Sequence, residues 1–150
     1  MELKVPPVFV FLSFALIMYV VSLFLPVGFF DFFGRFLLAK ILVLLAALIG
    51  LVSLYQFFKK KTSIDPMHPD KANQLVTTGL YKFSRNPMYL ALLMVLLGFG
   101  LYLGNAFNTL VAAGFVAYMN RFQIIPEERI LLAKFGNKFK SYQIATRRWF

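Results

Sequence analysis

The chain has 150 residues, of which 60% are hydrophobic and only six are acidic, and its formal net charge is +10. This composition leaves too little polar surface for a water-soluble domain, so it indicates a membrane protein. The chain has no cysteine, which excludes disulfides, thiol catalysis and metal sites built on cysteine.

Residues 1–58 predict two membrane-spanning helices. Val8 to Leu25 is an uncharged run of 18 residues, and Phe36 to Phe58 is a run of 23 that only Lys40 interrupts. At about 1.5 Å per residue, either run can cross a hydrocarbon core about 30 Å thick. The first run is long for a signal peptide and lacks an obvious small-residue cleavage site, so we interpret it as a span.

Residues 86–120 form a third apolar region, which contains no charged residue. As one helix its 35 residues would extend about 52 Å, more than a single span uses. Gly104 and Asn105 lie near its middle and favour a turn. We therefore expect two short helices, Met88 to Leu103 and Ala106 to Tyr118, folded as a hairpin, and hence an all-α polytopic membrane protein with four spans.

The basic residues orient these four spans. With the N-terminus inside, 14 of the 16 Lys and Arg residues fall on the cytoplasmic side, and only Arg35 and Lys40 do not. The positive-inside rule then predicts that both termini are cytoplasmic. The net charge also favours attraction to anionic lipid. Nucleic acid is not indicated as a partner, because no recognised binding motif accompanies the charge.

The segment from Glu127 to Tyr142 alternates apolar and basic side chains. This pattern predicts an amphipathic helix that lies in the membrane interface. Simple membrane anchoring would explain the pattern equally well. The remaining long polar connection, residues 59–86, contains His68, the sole histidine. A metal site needs more ligands than this loop offers, so we predict none.

Two polar blocks stand out against the apolar sequence. The first runs from Leu75-Val76-Thr77 through Tyr81 to Arg85-Asn86-Pro87-Met88-Tyr89, and the second from Glu127-Glu128 through Phe135-Gly136 to Tyr142. Their order and spacing resemble the integral-membrane methyltransferases that include isoprenylcysteine carboxyl methyltransferase and the phospholipid N-methyltransferases. That family's pattern is Leu-Val-Thr-x-Gly-x-Tyr, Arg-(His/Asn)-Pro-x-Tyr, Glu-Glu-x-x-Leu and Phe-Gly-x-x-(Tyr/Phe)-x-x-Tyr. The resemblance covers about half of the chain.

The resemblance implies methyl transfer from S-adenosylmethionine to a lipophilic or amphiphilic acceptor at the cytoplasmic interface of the membrane. It implies one domain over residues 1–150, with residues 59–150 as the cofactor-binding catalytic core. The interfacial segment would then close the cofactor pocket and seat the acceptor. The cofactor-binding residues that it implies are Asn73, Gln74, Leu75, Val76, Tyr81, Asn86, Pro87, Met88, Tyr89 and Glu127.

The residue types of the first block fit such a site. Asn86 is a good N-cap and Pro87 suits a first helical turn, so backbone N–H groups there could bind a carboxylate. Tyr81 and Tyr89 could attract a sulfonium cation through their ring faces. The alternatives are that Asn86 is a mere helix cap and that the two tyrosines belong to an interfacial aromatic belt.

The second block supplies the only acidic residues after Asp70. By resemblance Glu127 binds the cofactor, and we assign Arg85 and Glu128 as catalytic residues. Glu128 would organise Arg85 or the acceptor, or would act as a base toward an amine acceptor. Alternatively, both glutamates only complement the dipole at a helix N-terminus.

Two departures from the isoprenylcysteine enzymes bear on the acceptor. Gln123 stands where those enzymes carry a substrate-contacting arginine, and Asn86 stands where they carry a histidine. We expect Gln123, with Arg121 as a possible substitute for the missing charge, on the substrate side of the site. These departures favour an amine-bearing or otherwise less anionic acceptor over a prenylcysteine carboxylate.

Other functions were weighed against a methyltransferase. A small four-helix transporter is disfavoured because the predicted spans hold no ionisable residue except Lys40. A non-catalytic membrane interaction protein would keep the fold without binding S-adenosylmethionine. A membrane reductase with a similar helical core would depend on NADPH.

Overall fold

The computed structural model describes residues 2–60 and 67–150, and the regular structure of these residues is all-α. The helices are α1 (Pro7–Phe24), α2 (Arg35–Lys59), α3 (Pro87–Leu103), α4 (Asn108–Met119), α5 (Ile125–Phe135) and α6 (Asn137–Ala145). Short 3₁₀ turns lie at Pro26–Gly28, Pro69–Lys71 and Gly79–Lys82. Part of the predicted connection, residues 61–66, lies outside the described residues.

The first four helices begin and end within two residues of the predicted bounds. Proline at the start of α1 and α3 explains part of this agreement, because its fixed φ suits the first turn and its missing N–H costs nothing there. By length and composition α1 and α2 can cross a membrane, and α3 is a shorter apolar helix of 17 residues.

Packing is centred on α3, which contacts α2 along much of its length and also contacts α1 and α4. A Cβ atom on Gly98 would lie 3.1 Å from the carbonyl oxygen of Ala39, so the absence of a side chain lets α2 and α3 approach closely. On its other side α3 helps to form the core, whose fully buried side chains include Met18, Leu96 and Phe115.

The C-terminal ends of α1 and α3 meet the N-terminal end of α2, and polar groups join them. The Nη1 atom of Arg35 donates to the carbonyl oxygen of Phe30 at 2.7 Å, and Nδ2 of Asn105 donates to that of Leu25 at 2.6 Å. The backbone N–H of Phe30 donates to the carbonyl oxygen of Gly104 at 2.8 Å. The opposite end of the molecule carries both polar sequence blocks.

The two glutamates and the segment after them differ from the prediction at that opposite end. The fourth helix ends at Met119, close to the predicted Tyr118, but a π-helical turn at Asn120–Ile124 continues the helical path directly into α5. Such a turn can accommodate the ring of Pro126, which cannot donate to the preceding turn. Glu127 and Glu128 therefore do not stand at a free helix N-terminus.

The predicted single helix from Glu127 to Tyr142 is split at Gly136 into α5 and α6. Gly136 has φ +52° and ψ −130°, a conformation open essentially to glycine alone. The apolar periodicity continues through the break, which is why the pattern did not reveal it. Because of this bend α6 turns back over the end of the bundle.

Substitution of Gly104 tests how tightly the protein is packed around Arg35, where the ends of α1 and α3 meet the start of α2. Gly104 has φ +67°, and a Cβ atom there would lie 1.9 Å from Nη1 of Arg35, whereas Gly34 has φ +88° with open space around it. We expect Gly34→Ala to cost about 1–2 kcal/mol through backbone strain. Gly104→Ala should cost about 2–5 kcal/mol, since overpacking is added to that strain.

Thermal unfolding of the two purified variants in detergent, followed by intrinsic fluorescence, measures this difference. Equal losses of stability would show that Arg35 moves aside freely.

Candidate functional site

A small pocket lies at the end of the bundle that carries both polar blocks. It is formed by the loop before the Gly79–Lys82 turn, the start of α3, and the facing sides of α5 and α6. The residues that line it are Phe57, Ala72, Gln74, Leu75, Val76, Tyr81, Arg85, Asn86, Glu127, Glu128, Leu131, Phe139 and Tyr142. The fold therefore brings together segments that are up to 85 residues apart in sequence, from Phe57 to Tyr142.

Glu127 is the half-buried carboxylate of this pocket. Its Oε1 atom accepts a hydrogen bond from the Tyr89 hydroxyl at 2.5 Å and another from Nε2 of Gln123 at 2.6 Å. Burial raises the pKa of Glu127 to about 7, although these two hydrogen bonds favour the ionised form and partly offset the effect. The nearby charge of Glu128 raises it further. Glu127 is consequently poised to change charge near neutral pH.

Gln123 reaches Glu127 because the two residues are four positions apart along a continuous helical path. Side chains at this spacing lie on the same helix face. The π-helical turn includes Gln123 and sets the direction in which this face points, toward Tyr89 of α3. Gln123 is buried, so it is a fixed donor behind the carboxylate.

Glu128 is held between two arginines. Arg85 donates from Nη2 and Nε to Oε1 of Glu128 at 2.8 and 3.1 Å. Arg148 donates from Nη2 to Oε2 at 2.7 Å and from Nε to Oε1 at 3.3 Å. Burial alone would raise the pKa of Glu128, but the hydrogen bonds and charges of Arg148 and Arg85 lower it below its ordinary value. Glu128 is therefore ionised and fully engaged at neutral pH.

The C-terminal residues, 146–150, lie behind the residues that line the pocket and hold Arg85 in place. Arg85 donates from Nη1 to the carbonyl oxygens of Gln143, at 3.0 Å, and Thr146. Its backbone N–H donates to the carbonyl oxygen of Arg147 at 2.9 Å. The Trp149 indole donates to Oδ1 of Asn120 at 3.0 Å and packs against the hydrophobic core. This tail thus fixes the guanidinium of Arg85.

Asn86 occupies the N-cap position of α3, as predicted, but its side chain does not cap the helix. Its Nδ2 atom instead donates to the carbonyl oxygen of Arg148 at 3.0 Å. The predicted capping bond is wrong because the tail, which lies 62 residues away in sequence, competes for the same side chain. Asn86 still lines the pocket.

Aromatic side chains make the apolar wall. The rings of Tyr81 and Phe57 meet edge to face at 5.3 Å, and the Tyr142 hydroxyl donates to the carbonyl oxygen of Tyr81 at 2.7 Å. Burial raises the pKa of both tyrosines above the usual range, so their hydroxyls stay neutral. They can supply ring faces without adding charge to the pocket.

Not every predicted site residue lines this pocket. Asn73 is exposed, Pro87 is buried beneath the site, and Met88 lies outside the lining. Tyr89 and Gln123 do not line the pocket either, but both donate hydrogen bonds to Glu127, which does. Arg121 is exposed and forms an ion pair with Glu2 at 3.4 Å.

Other residues enter the site without having been foreseen. Phe57 from the end of α2 and Ala72 from the polar loop line the pocket, and Arg148 of the tail pairs with the lining residue Glu128. No local pattern marks them, because a phenylalanine in an apolar run and an arginine among basic residues look ordinary. Only the position of the two glutamates, which need partners when buried, gives an indirect signal for Arg148.

Chemically the pocket suits S-adenosylmethionine, the cofactor that the sequence implies, because it combines aromatic walls with a carboxylate and an amide donor. Its volume of about 80 Å³ is small, however, beside the roughly 300–1,000 Å³ of typical cofactor sites. A molecule the size of S-adenosylmethionine would therefore fit only if the walls of the pocket moved apart. A larger apolar cavity of about 800 Å³ lies between α1, α2 and α3 and shares no residue with the pocket.

No cluster of three or more potential metal ligands occurs in residues 2–60 and 67–150.

Comparisons with known proteins found a family match and a similar bacterial protein. A family model described as phospholipid methyltransferase matches residues 34–138, more than half of the chain. An uncharacterised protein of Haemophilus influenzae (strain ATCC 51907 / DSM 11121 / KW20 / Rd) is 44% identical over 62 residues, which cover 41% of this chain and 98% of that protein. No solved structure matches the chain significantly. The matched family range contains both glutamates but not Phe139, Tyr142 or Arg148.

The raised pKa of Glu127 predicts a pH-dependent stability. Between about pH 4.5 and 7 the unfolded chain loses this proton while the folded protein keeps it, so stability should fall as the pH rises through this window. The loss attributable to Glu127 is at most about 3 kcal/mol. Glu127→Gln should remove this part of the slope, because its amide carbonyl can still accept from Tyr89 and Gln123.

Unfolding midpoints from pH 5 to pH 8 for the wild type and this variant measure the effect. Glu2→Gln, which removes an exposed carboxylate, is the control that should retain the slope. An unchanged slope in Glu127→Gln would mean that another group titrates.

Proposed function

Since the chain belongs to the phospholipid methyltransferase family, we propose that it transfers a methyl group from S-adenosylmethionine to an amine-bearing, lipophilic acceptor at the cytoplasmic face of a membrane. The observation that carries this proposal is the pocket around Glu127. It gathers Gln74, Leu75, Val76, Tyr81 and Asn86, all of which the family pattern assigns to the cofactor.

For the cofactor we propose that Glu127 binds a cationic or hydroxyl group and that Asn86 donates to a carboxylate. The rings of Tyr81, Phe139 and Tyr142 would enclose the apolar and aromatic parts. The bound cofactor would supply an electrophilic methyl group. A carboxylate whose pKa is near 7 ionises readily when a cation arrives beside it.

The chain's own residues would contribute mainly positioning and exclusion of water. An amine that enters from the bilayer is already favoured in its neutral form, because a low dielectric disfavours the ammonium. Its nitrogen lone pair would form the new bond to the methyl carbon while the carbon–sulfur bond of the sulfonium breaks and its electron pair stays on sulfur, and the product ammonium would release its proton to water afterwards. A dedicated base is then unnecessary.

The geometry around Glu128 argues against the base role considered for it from the sequence. Its pKa is lowered and both oxygens accept hydrogen bonds from arginines, so it has little tendency to take a proton. We propose instead that Glu128 positions Arg85 and thereby the start of α3. Arg85 would act in the same structural way, because most of its donors are already used.

For the membrane topology we propose four spans formed by α1 to α4, with α5 and α6 at the cytoplasmic interface. Both polar blocks lie at one end of the bundle, which supports an even number of crossings between them. The exposed cations near that end, including Arg121 and Arg129, satisfy the positive-inside rule.

The topology predicts that both termini face the cytoplasm. Reporter domains fused separately to residue 1 and to residue 150 should report the same side, and a fusion at residue 31, between α1 and α2, should report the opposite one. Opposite sides for the two termini would rule out an even number of spans.

The cofactor proposal predicts that Glu127→Ala weakens binding of S-adenosylmethionine. Loss of a hydrogen bond to a charged group typically costs about 1.5–3 kcal/mol, so the dissociation constant should rise roughly 10- to 150-fold. Titration calorimetry on detergent-solubilised protein measures it, and Glu2→Gln serves as the matched control. Unchanged affinity in a folded Glu127→Ala protein would remove Glu127 from the cofactor site.

The acceptor proposal predicts that isotopically labelled S-adenosylmethionine methylates a phosphatidylethanolamine-type lipid faster than a farnesylcysteine analogue. The reason is that Gln123 is a neutral, buried amide bonded to Glu127 and cannot compensate a substrate carboxylate. Mass spectrometry of both acceptors under identical conditions tests this. Turnover of the farnesylcysteine analogue alone would reverse the preference, and turnover of neither would count against the enzyme assignment.

A further inference from the structure

Arg148 has bonding capacity that the fold does not use. It faces Glu128 through Nε and Nη2, at 3.3 and 2.7 Å, which leaves its Nη1 atom without a partner among the described residues. Its side chain is 34% exposed, whereas those of Arg85 and Glu128 are each 11% exposed. Arg85 lines the pocket but most of its donors are used, so Arg148 is the arginine with an accessible free N–H edge.

The charges in this cluster do not balance. Arg85 and Arg148 bring two positive charges, and Glu128 supplies one negative charge. Arg85 is satisfied by Glu128 and by the carbonyl oxygens of Gln143 and Thr146. One positive charge is thus left over at the rim of the pocket, on the partly exposed guanidinium.

The backbone of Arg148 is held in place by its neighbours. The next residue, Trp149, is anchored by its bond to Asn120 and by contact with the core, and the carbonyl oxygen of Arg148 accepts from Asn86. A guanidinium held in this way presents a planar edge that suits the oxygens of a phosphate.

Resting on the function proposed above, we propose that Arg148 is a specificity-determining residue that binds the phosphate of the acceptor lipid. Two carbon atoms separate the phosphate from the amine in an ethanolamine phosphate headgroup. Arg148 contacts Glu128, which lines the pocket beside Glu127, so a phosphate bound at Arg148 would hold the amine within a few bonds of the pocket. The acceptor would thereby be selected as an amine-bearing phosphodiester rather than as any lipophilic amine.

The test compares two amine acceptors with 18-carbon chains, stearoyl lysophosphatidylethanolamine, whose headgroup contains a phosphate, and octadecylamine, which has none. Arg148→Gln should raise KM for the phosphate-bearing acceptor roughly 10- to 150-fold, the range expected when a hydrogen bond between charged groups is lost. Because the amide of Arg148→Gln can still donate to Glu128, KM for octadecylamine and the affinity for S-adenosylmethionine should change by a smaller factor, so the ratio of the two KM values is the readout.

Arg147→Gln is the matched control. It removes the same charge from the neighbouring residue, whose side chain is exposed, and it leaves the backbone bond from Arg85 intact. It should leave both KM values unchanged. An equal effect of the two variants would assign the preference to general surface charge and overturn the proposal.

Three other outcomes would also overturn it. A fall in kcat for both acceptors would make Arg148 a positioning residue only, and a loss of S-adenosylmethionine affinity would make it a cofactor ligand. Displacement of the lipid by inorganic phosphate alone would indicate a free-phosphate site. Should Arg148→Gln not fold, Arg148→Lys replaces it, and a KM rise of roughly 3- to 10-fold for the phosphate-bearing acceptor is expected because a point charge lacks the planar fork.

The inference can be separated from the proposed function by binding alone. Octadecyl phosphate, which carries no amine, should bind the wild-type protein at least about tenfold more tightly than Arg148→Gln. If the wild type methylates neither amine but this difference holds, the methyltransferase assignment fails and the phosphate site stands. If the wild type methylates an amine but both proteins bind octadecyl phosphate equally, the methyltransferase assignment stands and the phosphate site at Arg148 fails.

Discussion

The ion cluster of Arg85, Glu128 and Arg148 is the constraint on which the polar end of the molecule depends. It joins the start of α3, the first turn of α5 and the C-terminal tail. Arg85 lies 43 residues before Glu128 in the sequence, and Arg148 lies 20 residues after it. Desolvating such charges is costly, and a partner left alone in this setting destabilises a protein by several kcal/mol. The cluster therefore contributes mainly specificity: it permits one arrangement of the three segments, and the pocket forms inside that arrangement.

Glu127 and Glu128 are adjacent on α5, but their electrostatic surroundings are opposite. Glu128 faces two arginines, whereas Glu127 faces Tyr89 and Gln123, which are neutral. One carboxylate is consequently kept ionised, and the other has a pKa of about 7. Two adjacent glutamates thus provide a fixed charge that organises the site and an adjustable charge that faces the pocket.

The apolar part of the protein follows different physics. In a bilayer the lipid is as apolar as leucine, so helix association depends on close packing and on interhelical hydrogen bonds. The contact of Gly98 with Ala39, and the bonds of Arg35 and Asn105 to loop carbonyl oxygens, provide both. These bonds hold the far end of the bundle together, whereas the pocket at the opposite end is lined largely by a loop and by the short helices α5 and α6.

The sequence alone determined the all-α class and most helix bounds, because long apolar runs, prolines and glycines act locally. It also determined the methyltransferase family, since the two polar blocks keep the spacing of that family's pattern. The π-helical turn, the break at Gly136, the bond from Asn86 to the tail and the partners of Glu128 were decided by tertiary structure. Each depends on residues distant in sequence or on a backbone angle that hydrophobic periodicity does not encode. For the same reason Arg148, which resembled any other basic residue near a membrane, became part of the site only when the tail folded back onto α3 and α5.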